Sequence, residues 1–250
     1  MFAPANGPII KPQARRVGII QPSFIPWRGF FDFINSVDLF IYLDDVQFSK
    51  QGWRSRNKIK TRNGVHWLSI SVKKFHIGQT INEILIDYES NWPERHKNLW
   101  YENYRMAPFY HEIQPILDIT SARKFENISD LNIALTQAIC DYLSIKTPTL
   151  RSSDLNIDGS STDKLIKLLS AVGATSYLSG PSADAYLDRS LFQASGIDLE
   201  YKSYEYDPYA QMWGSFQNHV SILDLIANCG PLSTSWITSK IPNTLIVAGR

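Results

Sequence analysis

The chain has 250 residues, 44% apolar and 20% charged, with 13 Gly and 13 Pro, which is enough to bury a sizeable core and excludes disordered, collagen-like and coiled-coil classes. Its 25 Lys and Arg against 24 Asp and Glu leave a net charge of +1, so there is no global field for coating DNA or an anionic membrane, and any grip on phosphate has to be local. No stretch nears the roughly 20 apolar residues of a membrane span, residues 1–16 lack the apolar segment of a secretory signal, and two cysteines, Cys140 and Cys229, cannot build a disulfide framework; a cytoplasmic protein is expected.

Residues 1–16, with Pro4, Pro8 and Pro12, read as a flexible extension. The run Val17-Gly18-Ile19-Ile20 suits a short buried strand. After breaks at Pro22 and Pro26, Trp27, Phe30, Phe31 and Ile34 recur at helical spacing and predict a helix over 27–35. A second buried strand is predicted over 39–43, ending in Asp44-Asp45. Strand, helix and strand in so short a span predict a βαβ unit and a parallel sheet. Strands over 53–60 and 67–72, joined at Arg62-Asn63-Gly64, predict a hairpin. Helices over 94–104 and 129–143 form a helical insertion at about 91–145. Ser129 is placed to cap the second, and Leu131, Leu135, Ile139 and Tyr142 share its face. The last third alternates again. It holds a strand at 147–150, a helix over 163–172 capped by Ser161 or Thr162 and stopped at Gly173, a strand at 176–178, a short helical stretch, a strand over 199–204 and a helix over 220–228. With no linker and no internal repeat, residues 17–230 read as one α/β domain. Its sheet is mainly parallel and nucleotide-binding-like, with a β-hairpin and the helical insertion; residues 231–250 form a tail of unassigned structure.

The most informative chemistry lies at 50–62, where six basic residues occur without an acid. Five of them alternate from Arg54 to Arg62, including Arg56 and Lys58, and in a strand they share one face. Like charges in a row repel unless an anion lies against them, and a diphosphate matches arginine forks. A solvated hairpin face is the plain alternative. Trp53 and Trp67 could stack single-stranded nucleic acid, a reading that the neutral net charge does not favour.

The loop at 21–29 starts at Gln21, at the carboxyl end of the first strand, where ligands gather in open α/β sheets, and it opens a helix whose free N–H groups suit an anion. Its layout resembles the corresponding loop of nucleotidyltransferases. Trp27 and Phe30, however, stand near the places of that family's histidines, so adenylyl transfer by that mechanism is not expected. A Pro-rich turn carrying core aromatics is the alternative. Asp44 and Asp45 point to opposite faces if extended, so one of them is expected to reach a site as a base, a Mg²⁺ ligand or a group orienting a sugar. Ser179, Gly180 and Asp184 follow a late strand, where small residues let a ligand approach backbone amides. His96, on a helix, is a candidate base. No His or Cys spacing suits zinc, so no metal site is expected. No phosphate loop or dinucleotide fingerprint is present.

Together these stretches resemble the WbqC-like family. The resemblance rests on IIQPSFIPWRGFFDFI at 19–34, LDDVQFSKQGWRSRNKIK at 43–60, STDKLIKLLSAVGATSYLSGPSADAYLD at 161–188, and GIDLEYKSY, MWGSF and SILDLIAN within 191–228. It covers roughly 17–230; SWITSK at 235–240 departs from it. The resemblance implies a bacterial protein encoded among genes for O-antigen and other surface polysaccharides (lipopolysaccharide biosynthesis), and a transferase placing glycine or a similar acyl group on an amino sugar. It supplies no catalytic residues.

Joined to the residue reading, it gives a concrete expectation. A nucleotide-linked amino sugar is held at its diphosphate by Arg54, Arg56 and Lys58 and stacks on Trp27 or Trp53. Gln21, Gln47, Asn57 and Asp184 complete its binding site. Asp45 or His96, with Asp44 beside them, takes the amine proton, and amides near Ser179-Gly180 stabilise the oxyanion. The acyl donor is an acyl-adenylate made from ATP with Mg²⁺, a carrier thioester or an aminoacyl-tRNA. A homodimer is compatible with this reading. A metal-dependent glycosyltransferase using Asp44 and Asp45 and a non-catalytic nucleotide-sugar binding protein are the alternatives.

Overall fold

A computed structural model describes residues 14–249, so most of the extension expected at 1–16 lies outside the described residues. The βαβ start forms as its apolar pattern requires, with β1 (Arg16–Ile20), α1 (Arg28–Asn35) and β2 (Leu39–Tyr42). The hairpin follows as β3 (Arg56–Thr61) and β4 (Gly64–Ser69). A helical layer, α2 (Trp92–Tyr104), α3 (Tyr110–Ser121) and α4 (Ile128–Tyr142), leads to β5 (Thr149–Arg151) and the single turn α5 (Ser152–Leu155). The chain then runs through α6 (Ser161–Ala171), β6 (Ser176–Ser179), α7 (Arg189–Ser195), β7 (Asp198–Tyr201), α8 (Ile222–Cys229) and β8 (Thr244–Val247).

Six strands form one sheet in the order β5-β2-β1-β6-β7-β8, and β3-β4 form a separate antiparallel pair. All neighbours in the large sheet are parallel except β7 and β8. The chain therefore builds outward from β1 through β2 to β5, returns to the other side of β1 with β6, and continues to β7. Between the carboxyl ends of β1 and β6 the strand order reverses, which is where open α/β sheets have their crevice.

Side chains alternate between the two faces of the sheet. Val17, Ile19, Leu39, Ile41, Tyr177 and Leu199 form one core with α6 and α7. Phe40, Tyr42 and Leu178 join the larger core, with α1, α4 and α8. Gly18 permits this second packing: a Cβ there would lie 2.4 Å from the Phe33 ring, so any other residue would push α1 off the sheet. The helical layer covers the same side through Trp92, Trp100 and Tyr104, all fully buried.

Several expectations shift. The hairpin strand starts at Arg56, not at 53, and its turn is Arg62-Asn63, with Gly64 already paired to Thr61. Asn127, not Ser129, caps α4 by accepting from the Asp130 amide. Helix α6 begins at Ser161 and has no side-chain cap. Helix α3, within the helical insertion expected at about 91–145, carries Pro115 in its interior, where proline removes a bond of the usual ladder. The tail contributes an antiparallel edge strand, β8, so the sheet extends beyond residue 230. Among the described residues, no helix is long and apolar enough to cross a membrane.

Candidate functional site

A cleft of about 1180 Å³ opens at the reversal of strand order, lined by Gln21 after β1 and by Ser179 and Gly180 after β6. Of the residues expected at a site, Gln21, Trp27, Asp45, Gln47, Trp53 and Arg54 line it, as do Asn57, Ser179 and Gly180.

The loop after β1 forms one wall and is held tightly. Ile25 has φ 34° while its side chain is buried, a conformation that β-branched residues adopt only when their surroundings impose it. The Asn57 amide imposes it, donating to the Phe24 carbonyl at 3.0 Å and the Ile25 carbonyl at 2.8 Å. The Phe24 amide donates to the Trp53 carbonyl, and the Pro26 carbonyl accepts from Ile222 at the start of α8. Asn57 is thus spent on the loop and does not read a sugar hydroxyl. Beyond the loop, a Cβ on Gly29 would lie 2.4 Å from the Trp27 ring, so glycine lets the indole lie against the start of α1. Trp27 also packs on Tyr204 and His219, at 5.2 and 5.1 Å between ring centroids.

Arg54 lines the cleft from the turn before β3, and its guanidinium donates to Gln21. Burial pulls its pKa below the ordinary arginine value, and among the described residues it forms no ion pair. On another part of the lining, the Lys164 ammonium meets the Asp45 carboxylate at 2.7 Å, and the Ser152 hydroxyl donates to the same carboxylate. Gly159, Ser160 and Ser161, at the start of α6, lie beside them.

The other expected residues lie elsewhere. Asp44 is fully buried and accepts from the Ser153 amide and hydroxyl and from the Ser129 hydroxyl, tying β2 to α4 and α5. It is a structural carboxylate, not a catalytic one. With Asp44 buried and Asp45 bound to Lys164, the pair of free carboxylates needed to hold Mg²⁺ does not form. No group of three His, Cys, Asp or Glu converges among the described residues. His96 is buried between Phe24 and Trp92, away from the cleft lining, and burial pushes its pKa down to about 4. Asp184 binds Arg189 and Tyr201 instead of facing the cleft. The cationic row also divides. Arg56 and Lys58 lie over Trp67 on the hairpin, Lys60 turns inward to Gln211, and Arg62 lies over Trp213.

Lys164, Tyr204 and His219 were not singled out from the sequence. A lysine on the apolar side of α6 was the one available signal for Lys164; Tyr204 was read as the end of a strand that in fact stops at Tyr201, and His219 lies in irregular chain with no period to read.

Fold and cleft together define an open, doubly wound α/β protein with a crevice lined by aromatic, aliphatic and a few polar side chains where its strand order reverses. The chain belongs to the WbqC-like protein family, whose model matches residues 21–235. It is 41% identical over 221 residues to the uncharacterized protein Rv1507c of Mycobacterium tuberculosis, a match covering 86% of this chain and 94% of that protein. No solved structure matches it.

Proposed function

We propose that the protein is a transferase of bacterial surface-polysaccharide biosynthesis that acylates the amine of a nucleotide-linked amino sugar bound in this cleft. The observation that supports it best is Arg54: a cation with no carboxylate partner among the described residues, drawn partly out of water at the carboxyl edge of a parallel sheet, in a cleft that Trp27 and Trp53 also line. A diphosphate answers that charge, and the indoles give a base or sugar an apolar face.

Of the two candidate proton acceptors, Asp45 and His96, Asp45 lines the cleft and takes the role here. The sugar nitrogen attacks the acyl carbonyl carbon, a C–N bond forms, and the bond from that carbon to the donor's oxygen or sulfur breaks. The amine proton passes to Asp45, whose position Lys164 and Ser152 fix. Backbone amides near Ser179-Gly180 serve the developing oxyanion.

The test is mass spectrometry of the protein incubated with dTDP- and UDP-amino sugars, amino acids and ATP, with and without charged RNA. A product heavier by one acyl unit is expected. Arg54→Ala should weaken nucleotide-sugar binding more than about tenfold, the scale of one charged hydrogen-bond partner lost, with the Tm nearly unchanged; an unaltered affinity removes the cleft from consideration. The commitment of Asp45 to Lys164 and Ser152 favours one second reading, a non-catalytic nucleotide-sugar binding protein, which tight binding without turnover would select.

A further inference from the structure

The near-neutral net charge conceals a strong separation. Residues 46–82 carry eight of the chain's Lys and Arg and none of its Asp or Glu, so the rest of the chain has seven more acids than bases. The hairpin lies within this segment. On its outer surface Trp53 and Trp67 are 45% and 39% exposed, high for indoles. Their rings lie 5.4 Å apart, tilted by 34°. The Arg56 guanidinium lies 4.2 Å and the Lys58 ammonium 4.8 Å from the Trp67 ring. Among the described residues neither cation meets a carboxylate. Trp53 also lines the cleft, beside Arg54, so this strip of indole and cation runs from the hairpin surface to the cleft's mouth.

Alternating aromatic faces and unpaired cations are what a single-stranded nucleic acid binds, its bases stacking while its phosphates meet the charges. An acidic carrier protein would use the cations and leave the indoles without a purpose. We infer that the hairpin face binds the single-stranded 3′ end of an aminoacyl-tRNA and presents its terminal ester to the cleft. This rests on the acyl-transfer reading above and names its donor. The sugar amine attacks the ester carbonyl carbon, the C–N bond forms, and the C–O bond to the terminal ribose breaks. The amine proton passes to Asp45 and from there to the departing ribose oxygen, which leaves as its hydroxyl, so that neither ATP nor a carrier is consumed in the step.

Fluorescence anisotropy with a labelled single-stranded RNA of about 12 nucleotides ending in CCA tests the surface. Trp67→Ala should weaken binding about tenfold, the scale of one stacked base. Two phosphate contacts, at Arg56 and Lys58, predict about a sevenfold loss of affinity for a fourfold rise in salt, a dependence that nearly vanishes when Arg56→Gln and Lys58→Gln are combined. All these side chains are partly exposed, and melting curves confirm that each variant folds. Absence of RNA binding by the parent, or Trp67→Ala binding like the parent, overturns the inference. So does capture of an acidic acyl-carrier protein in place of RNA, or product formation from free amino acid and ATP that survives ribonuclease. Nucleotide-sugar binding is measured on the same samples. Its failure while RNA still binds defeats the cleft reading and spares the hairpin, whereas the reverse result defeats the hairpin alone.

Discussion

Residues adjacent in sequence serve different purposes in this protein, and side-chain alternation does not explain it. Asp44 and Asp45 were expected to point apart if extended, yet both carboxylates accept from the Ser152 hydroxyl, Asp44 fully buried and Asp45 at the cleft lining. His96 shows the limit of such reasoning. A helical histidine looks the same on paper whether it faces water, a ligand or two aromatic rings, and only the packing of Phe24 and Trp92 decides. Its depressed pKa carries a prediction. Between the ordinary value of 6.5 and about 4, the unfolded chain binds a proton that the native site refuses. Stability is therefore full above that window and falls as pH falls through it, by about 3 kcal/mol. Urea melts of His96→Leu should lose about that much less than the parent between about pH 7 and pH 4; equal losses would mean that the imidazole is solvated.

At the scale of elements, the regular pieces were legible and the irregular ones were not. Strand β1, helix α1 and strand β2 announce themselves through apolar runs and helical spacing. The hairpin does so through Asn63-Gly64, although its turn falls one residue earlier. The row of cations was read as one continuous strand face, yet residues 50–55 form turns, and this sends Arg54 into the cleft while Arg56 and Lys58 stay outside on the hairpin. Turn geometry of that kind depends on the Phe24 amide meeting the Trp53 carbonyl, a contact between segments that no local pattern encodes. Asn57 anchors the opposite side of the same junction. Asn57→Ala would leave the buried Phe24 and Ile25 carbonyls without their donor, costing about 2 kcal/mol. It should also speed amide exchange across 21–27. Exchange unchanged from the parent would show that Ile25 is held in place by packing alone.

For the whole molecule, the parallel sheet was expected and its order was not, because pairing partners far apart in sequence leave no periodic mark. The strand β8 escaped for a related reason: four residues beyond a loop resemble a tail until β7 offers an edge. Its Ile246 and Val247 pack on the core beneath α6 and α7. A chain shortened to end at Lys240 would uncover β7 and that apolar contact. Its Tm should fall by about 5 °C, with concentration-dependent association through the opened edge. Calorimetry and light scattering check both; an unchanged Tm would mean that β8 contributes nothing to stability.

The position of β6 beside β1 also has a meaning in time. Arg15 and Thr175, which bond where these strands begin, are 160 positions apart. A ribosome adding about 5–20 residues per second would need roughly 8–30 s to cover that distance. Until then β1 has β2 on one flank and no companion on the other, and the crevice has a single wall. A nascent chain halted anywhere before β6 would display apolar strand to solvent and possess only half of the crevice, so this protein should lean on chaperones during its synthesis far more than its finished stability would suggest.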